Sequence, residues 1–256
     1  MTLALLQYPV EWADIQANLQ VLEQRIAAIA GQADLAILPE MFTTGFCIDR
    51  TDLAEPLDGP TVKTLERLAR QYDIALAGSF IARIRTANYN MGFFITPEQS
   101  YFEPKRHLFA RAGEQRYFTP GRNRLVVEYK EVKFCLQICY DLRFPVWSRN
   151  RSGFDYDVLI YVAAWPEERI PWWDNLLVAR SIENQAIVCG VNAVGTDGNG
   201  IHYTGHSTII DTRLKHLVSF ADNEVGTRIA EIDIEALRHF RDRCPMYREA
   251  DKFNFT

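Results

Sequence analysis

The chain has 256 residues, 48% of them hydrophobic, and a formal charge of −5 from 28 Lys and Arg against 33 Asp and Glu. This length and apolar content suffice for one large α/β domain with a sizeable core. The excess of acid excludes a general nucleic-acid binder, whose surface must be basic, so the expected partner is a small molecule.

The N-terminal run Met1-Thr2-Leu3-Ala4-Leu5-Leu6-Gln7-Tyr8-Pro9 has no basic n-region and is too short for a signal peptide or a membrane span, which predicts a cytoplasmic protein. Its centre, residues 3–7, is the first expected strand. A helix over 14–30 follows, because Ile15, Leu19, Leu22, Ile26 and Ile29 recur at spacings of three and four, with Gly31 as its stop. The apolar run 35–38 is a second strand, closed by Pro39-Glu40, and Pro60 opens a helix over 61–72 that carries Val62, Leu65 and Leu68. Strands over 74–80, 91–96 and 101–103 come next, then 125–129 and 132–138, the last closed by Cys139. Strand 158–162 precedes a helix over 172–185 with Leu176, Leu177, Ala179 and Ile182, and strands 187–191, 207–210, 217–220 and 227–232 complete the series. Residues 194–205, rich in Gly and Asn, read as a loop, and the polar tail 244–256 as a segment lying across a neighbouring surface.

Laid end to end, the elements echo. Strand 35–38, a helix, strand 74–80 and the pair 91–96 and 101–103 match in order strand 158–162, a helix, strand 187–191 and the pair 207–210 and 217–220. Each half then supplies one sheet covered by helices on one face, and the free faces pack together. The expected architecture is an α/β fold, a four-layer α-β-β-α sandwich. No Ser/Gly-rich or charged linker divides it, so residues 1–256 form a single domain.

Five cysteines, an odd number without paired spacing, suit a reducing compartment. Cys135 and Cys189 sit inside apolar runs and read as small buried hydrophobes. Cys139 differs, because it ends a strand and opens into Tyr140-Asp141-Leu142-Arg143-Phe144-Pro145. A sharp turn there exposes the sulfur and aims the following backbone N–H groups at a developing oxyanion. Glu40 and Lys105 also lie at strand ends. Hydrolysis of an unactivated amide needs a nucleophile, a proton acceptor and donor, and positive groups at the carbonyl oxygen. Cys139, Glu40 and Lys105 supply these in that order, with the Tyr140 N–H as a second oxyanion donor, a thioester as intermediate and ammonia as the first product. Glu114 is a second carboxylate that would hold the lysine charged. Taken singly, Glu40, Lys105 and Glu114 are each ordinary surface residues; only the set points to chemistry.

Several runs together resemble the carbon–nitrogen hydrolase (nitrilase) superfamily: Leu38-Pro39-Glu40-Met41-Phe42, Lys105-Arg106-His107-Leu108-Phe109, Cys139 to Pro145, Ala179-Arg180-Ser181-Ile182-Glu183-Asn184-Gln185 and Gly205-His206-Ser207-Thr208-Ile209-Ile210-Asp211. The resemblance spans almost the whole chain in order. It puts Glu40, Lys105 and Cys139 on the family's base, lysine and nucleophile and Glu114 on its supporting glutamate, and it implies the nitrilase-like α-β-β-α sandwich. The run from Cys139 to Asn150 is similar to the bacterial omega-amidase branch, which implies a small amide as substrate, the terminal amide of a short 2-oxo-dicarboxylic acid monoamide such as 2-oxoglutaramate. Nitriles, N-carbamoyl compounds and other linear amides remain open on the same residues, as does a catalytically silent ligand-binding protein. One departure is Thr212-Arg213-Leu214, where many members carry a Pro-x-Gly turn after the preceding Asp.

A substrate carboxylate needs a cationic partner, and Arg143 is either that partner or a structural mate of Asp141. Phe42, Tyr140 and Trp165 are candidates to wall a small pocket, or else core aromatics. His202 and His206 flank a glycine in a loop and lack zinc-pair geometry, and Gly195, Gly198 and Gly200 do not fit a dinucleotide fingerprint, so neither metal nor cofactor is expected. The resemblance further implies a homodimer or larger homo-oligomer built through the helix after the nucleophile, where Phe144, Val146 and Trp147 would form an apolar surface.

Overall fold

The computed structural model describes residues 1–151 and 153–251. In chain order the strands and helices are β1 (Thr2–Gln7), α1 (Ile15–Ala28), β2 (Leu35–Ile37), α2 (Pro60–Tyr72), β3 (Ala75–Ile84), β4 (Ala87–Ile95), β5 (Ser100–Pro104), β6 (Leu125–Tyr129), β7 (Val132–Ile138), α3 (Pro145–Ser148), β8 (Val158–Ala163), α4 (Ile170–Asn184), β9 (Ile187–Asn192), β10 (Val194–Thr196), β11 (His202–Thr204), β12 (Thr208–Ile210), β13 (His216–Ser219), β14 (Gly226–Glu231) and α5 (Ile234–Arg243).

Two six-stranded mixed sheets form, ordered β14-β1-β2-β3-β4-β5 and β13-β12-β9-β8-β7-β6. Position by position they correspond: β1-β2-β3 and β7-β8-β9 are the parallel centres, and the other strands pair antiparallel. The helices fall in the same places, α1 and α2 in the first half, α3 and α4 in the second. The expected echo is thus a pseudo-duplication of topology.

Period-two alternation explains the layers. Leu3 and Leu5 of β1 point to the face shared with the other sheet, where Leu35, Ile37 and Phe94 meet Phe134, Leu136 and Ile160. Ala4 and Leu6 point the other way, onto Leu19, Leu22 and Ile26 of α1 and Val62, Leu65 and Leu68 of α2. On the far side Trp173 and Leu177 of α4 close the second sheet. The layer order is α-β-β-α, as expected, with inner faces interdigitating as in a sandwich.

One expectation needs correction, and one helix was not foreseen. Residues 194–205 contain the hairpin β10-β11, with Gly195 paired to Tyr203. The segment after residue 232 continues as α5, capped by Asp233, whose side chain accepts from the Ala236 N–H at 2.8 Å. In the tail, Met246–Glu249 form a short 3-10 turn, while residues 252–256 lie outside the described residues. No helix among the described residues is long and apolar enough to cross a membrane.

Candidate active site

Four buried side chains converge where β2, β5 and β7 end. After β2 the chain passes through Leu38 and Pro39 to Glu40, then turns at Met41 with φ 47°, its N–H held by the Ser79 hydroxyl at 2.9 Å. The Glu40 side chain is fully buried. Its Oε1 accepts from Lys105 Nζ and Asn90 Nδ2, both at 2.8 Å, and its Oε2 from the Ala164 backbone N–H at 2.9 Å, a bond that crosses between the sheets.

Lys105 follows β5, its N–H bonded to the Asn90 carbonyl at 2.9 Å and its own carbonyl accepting from Gly121 at 2.8 Å. Any side chain at Gly121 would put a Cβ 2.1 Å from the Pro104 carbonyl oxygen, so only glycine lets this loop close against the lysine. The ammonium bonds Glu114 Oε2 at 2.9 Å as well as Glu40. Glu114 is also fixed by the Phe109 N–H at 2.6 Å. Burial alone would lower the Lys105 pKa, but Glu114 and then Glu40 outweigh it and hold the ammonium above the ordinary lysine range.

Cys139 closes β7 in the left-handed region, φ 46°, and begins a 3-10 turn, Cys139–Arg143. A non-glycine residue there stores roughly 1–3 kcal/mol, which the surroundings must offset. Asp141 does so: its Oδ2 accepts from the Ile138 N–H at 3.0 Å and its Oδ1 from the His107 N–H at 2.9 Å and ring Nδ1 at 2.8 Å. His107 in turn stacks on Phe144 with centroids 3.7 Å apart. The elbow and the lysine loop are therefore locked together. The thiol is buried facing Glu40 and Lys105; burial, then the Glu40 carboxylate, push its pKa well above the ordinary thiol range, against the pull of Lys105.

Cys139 opens onto a cavity of about 70 Å³ walled by Phe46, Phe109, Tyr140, Trp165 and Tyr203 and reached by Arg143 and Arg169. Glu40 faces a second, adjoining cavity of about 30 Å³, and Phe46, Ala164 and Tyr203 border both. Trp165 is fixed by Asn192, whose Oδ1 accepts from its N–H at 2.6 Å, and by its indole N–H bonded to the Arg169 carbonyl at 2.8 Å.

Of the residues singled out in the sequence, Glu40, Lys105, Glu114 and Cys139 come together, and Tyr140, Arg143 and Trp165 line the cavity beside them. Phe42 does not: the turn at Met41 sends it to the helix side, fully buried against Phe93 at 5.7 Å, and Phe46 takes the pocket wall instead. Arg143 is not the mate of Asp141, which is saturated by His107 and Ile138; its guanidinium lies over Trp172 at 4.3 Å and Trp165 at 5.2 Å. Of the residues expected to form an apolar surface after the nucleophile, Val146 is exposed, but Trp147 is buried and Phe144 is taken up by His107. His206 lies between Asp174 and Asp222, and His202 bonds Thr196. Asn90 was missed: it stands in β4 just before the apolar run Met91 to Ile95 and reads as an ordinary polar residue at the edge of that run. Arg169 was missed too, since Glu167-Glu168-Arg169 reads as a solvated turn.

Residues 2–242 match the Carbon-nitrogen hydrolase family, and the chain belongs to it. It is a hydrolase of carbon–nitrogen bonds other than peptide bonds. Among relatives, it is 40% identical over 255 residues to Omega-amidase YafV of Escherichia coli (strain K12), covering 99% of this chain and 98% of that protein. It is 31% identical to the 2-oxoglutaramate amidase of Bacillus subtilis (strain 168), covering 98% of each. Among solved structures, XC1258 from Xanthomonas campestris, a CN-hydrolase superfamily protein with an arsenic adduct in its active site, superposes with a TM-score of 0.97 at 37% identity over 100% of this chain and 99% of that one.

Proposed function

We propose that the chain is an omega-amidase that removes ammonia from the terminal amide of short 2-oxo-dicarboxylic acid monoamides, such as 2-oxoglutaramate, through a thioester on Cys139. The observation that carries the chemistry is the buried ion triad in which Lys105 bridges Glu40 at 2.8 Å and Glu114 at 2.9 Å beside the thiol. The substrate class is supported by likeness to the two amidases above.

Two carboxylates and one ammonium leave a single excess negative charge, and ionising the thiol would add another in a buried site. Attack is therefore coupled to proton transfer. Cys139 Sγ bonds the amide carbon as Glu40 takes its proton, so the new negative charge appears on the carbonyl oxygen, beside Lys105 and the Tyr140 N–H. Glu40 then returns the proton to the nitrogen, the C–N bond breaks and ammonia leaves. A water deprotonated by Glu40 attacks the thioester; collapse expels the thiol, which recovers its proton, and releases the carboxylic acid. The total charge is unchanged through each step, which is what a low-dielectric site requires. Glu114 keeps the lysine charged while Glu40 is protonated. Arg143 offers the guanidinium for the substrate's free carboxylate.

Replacing Cys139 by Ala, or Glu40 by Gln, which cannot carry the proton, should reduce ammonia release by at least ~10³-fold with the fold retained. Undiminished turnover in either variant would end the proposal. We also propose a homodimer through the outer helical face, where Val146 of α3 and Trp172 and Ile182 of α4 are each more than half exposed, at 56%, 52% and 52%. Sedimentation velocity should give twice the chain mass, and Ile182→Glu should shift it to the monomer.

A further inference from the structure

Arg143 and Arg169 both reach into the cavity onto which Cys139 opens. Each is partly buried, and each is held by aromatic faces rather than by acids: Arg143 by Trp172 and Trp165, Arg169 by Phe109 at 5.1 Å. Neither guanidinium has a hydrogen-bond or carboxylate partner among the described residues. Two like charges facing one small cavity repel each other, and burial together with the Arg169 charge lowers the Arg143 pKa although Arg143 stays cationic. Such a pair favours an anion from outside between its two charges.

The rest of the lining is equally one-sided. No Asp or Glu borders the cavity among the described residues. The nearby acids are already engaged, Glu40 and Glu114 by Lys105, Asp141 by His107 and Asp197 by the Tyr203 hydroxyl at 2.9 Å. A ligand cation would enter a space with two positive neighbours and no carboxylate on its lining to pair with.

We propose that Arg169 is a specificity-determining residue that grips the substrate's free carboxylate together with Arg143, and that the guanidinium pair rejects amides bearing an ammonium beside that carboxylate. The site would thereby tell a 2-oxo or unsubstituted acid monoamide from the corresponding amino acid by repulsion as much as by attraction. This rests on the acid-monoamide reading given above.

Three five-carbon terminal amides separate the two ideas: glutaramate, with a carboxylate; pentanamide, with neither charge; and glutamine, with carboxylate and ammonium. The readout is the ratio of kcat/KM values within one enzyme, which a merely misfolded or slowed variant would leave alone. The native enzyme should favour glutaramate over both others. Arg169→Gln should cut the glutaramate-to-pentanamide ratio ~10- to 100-fold, mainly through KM, the size of a lost charge-assisted pair. It should also narrow the glutaramate-to-glutamine gap by about 10-fold, because the ammonium loses one repelling neighbour. Arg169→Lys, which keeps the charge without the fork, should restore the second ratio more fully than the first. If the native enzyme shows no preference for glutaramate, the substrate reading fails. If it does and Arg169→Gln moves neither ratio, that reading stands and the role of Arg169 is refuted.

Discussion

Asn90 donates through one amide nitrogen to both carboxylates of the ion triad, Glu40 at 2.8 Å and Glu114 at 3.1 Å, while its Oδ1 is buried without a partner. Buried amides are rarely left half satisfied, so its value lies in the donor end. With Lys105 and the Ala164 N–H it is the third donor that keeps Glu40 in place. Asn90→Leu should lower kcat ~10- to 100-fold, the cost of one hydrogen bond to a charged group, with little change in KM because Asn90 does not line the cavity onto which Cys139 opens. Asn90→Asp should be worse, since a third carboxylate adds a second uncompensated charge. Steady-state kinetics decides it: equal kcat in Asn90→Leu would leave the amide a packing residue. Cys139, Glu40 and Lys105 were legible in the sequence because each follows an apolar run, where a strand end is the natural place for chemistry. Asn90 was not, because its task depends on contacts with Glu40 and Glu114, 50 and 24 residues away in sequence. Phe42 misled for a related reason: adjacency to Glu40 suggests a shared direction, and one left-handed residue, Met41, reverses it.

Among the elements, those with a clean apolar period were readable and those built on polar groups were not. The strands around 35–38 and 158–162 and the helices flanking them carry continuous or regularly spaced hydrophobes, and their pseudo-symmetric order gave the two-sheet arrangement. Helix α5 buries only Leu237 and Arg241. Its anchor is ionic: Arg241 bonds Asp157 at 2.7 Å, the Gln185 carbonyl at 2.8 Å and the Tyr156 carbonyl at 2.9 Å, and lies over Phe154. A buried arginine is invisible to hydrophobic periodicity, since it scores as surface. The hairpin β10-β11 hides differently. Its strands are three residues each, and its turn is organised by Asp197, which accepts from the Asn199 and Ile201 N–H groups at 2.9 Å, with Gly200 at φ 78°. Gly and Asn are what such a turn requires, and they are also what a loop contains. That hairpin places Tyr203 between the two cavities, so a segment read as featureless helps to shape the site.

At the scale of the whole molecule, the same dry packing that excludes water from the triad sets how the fold responds to alkali. Cys135 lies on the helix-facing side of β7, opposite Phe134 and Leu136 and beside Gln137, with its pKa pushed up to about 12 by burial. Burial raises Cys189 and Cys139 as well, and the net effect of Glu114 and Glu40 raises Lys105. In every case the folded chain holds its proton to higher pH than the unfolded one, whose thiols ionise near pH 8.5 to 9. The unfolded state therefore binds fewer protons above that point, and unfolding becomes easier as pH rises. Below about pH 8.5 these groups contribute a constant term. From about pH 9 upward each buried thiol removes up to about 1.4 kcal/mol of stability per pH unit, until its own folded pKa is passed. For a chain of this size that corresponds to roughly 2–5 °C in the melting midpoint per thiol and pH unit. Thermal melts should thus be nearly flat from pH 7 to 8.5 as far as these groups are concerned and then fall steeply to pH 11. Cys135→Ala should start lower, because it opens a small cavity, but decline less steeply, having one titrating group fewer. Parallel slopes for the two proteins above pH 9 would mean that the Cys135 thiol is not isolated from water, and the picture of a sealed core between β7 and the helices would have to be abandoned.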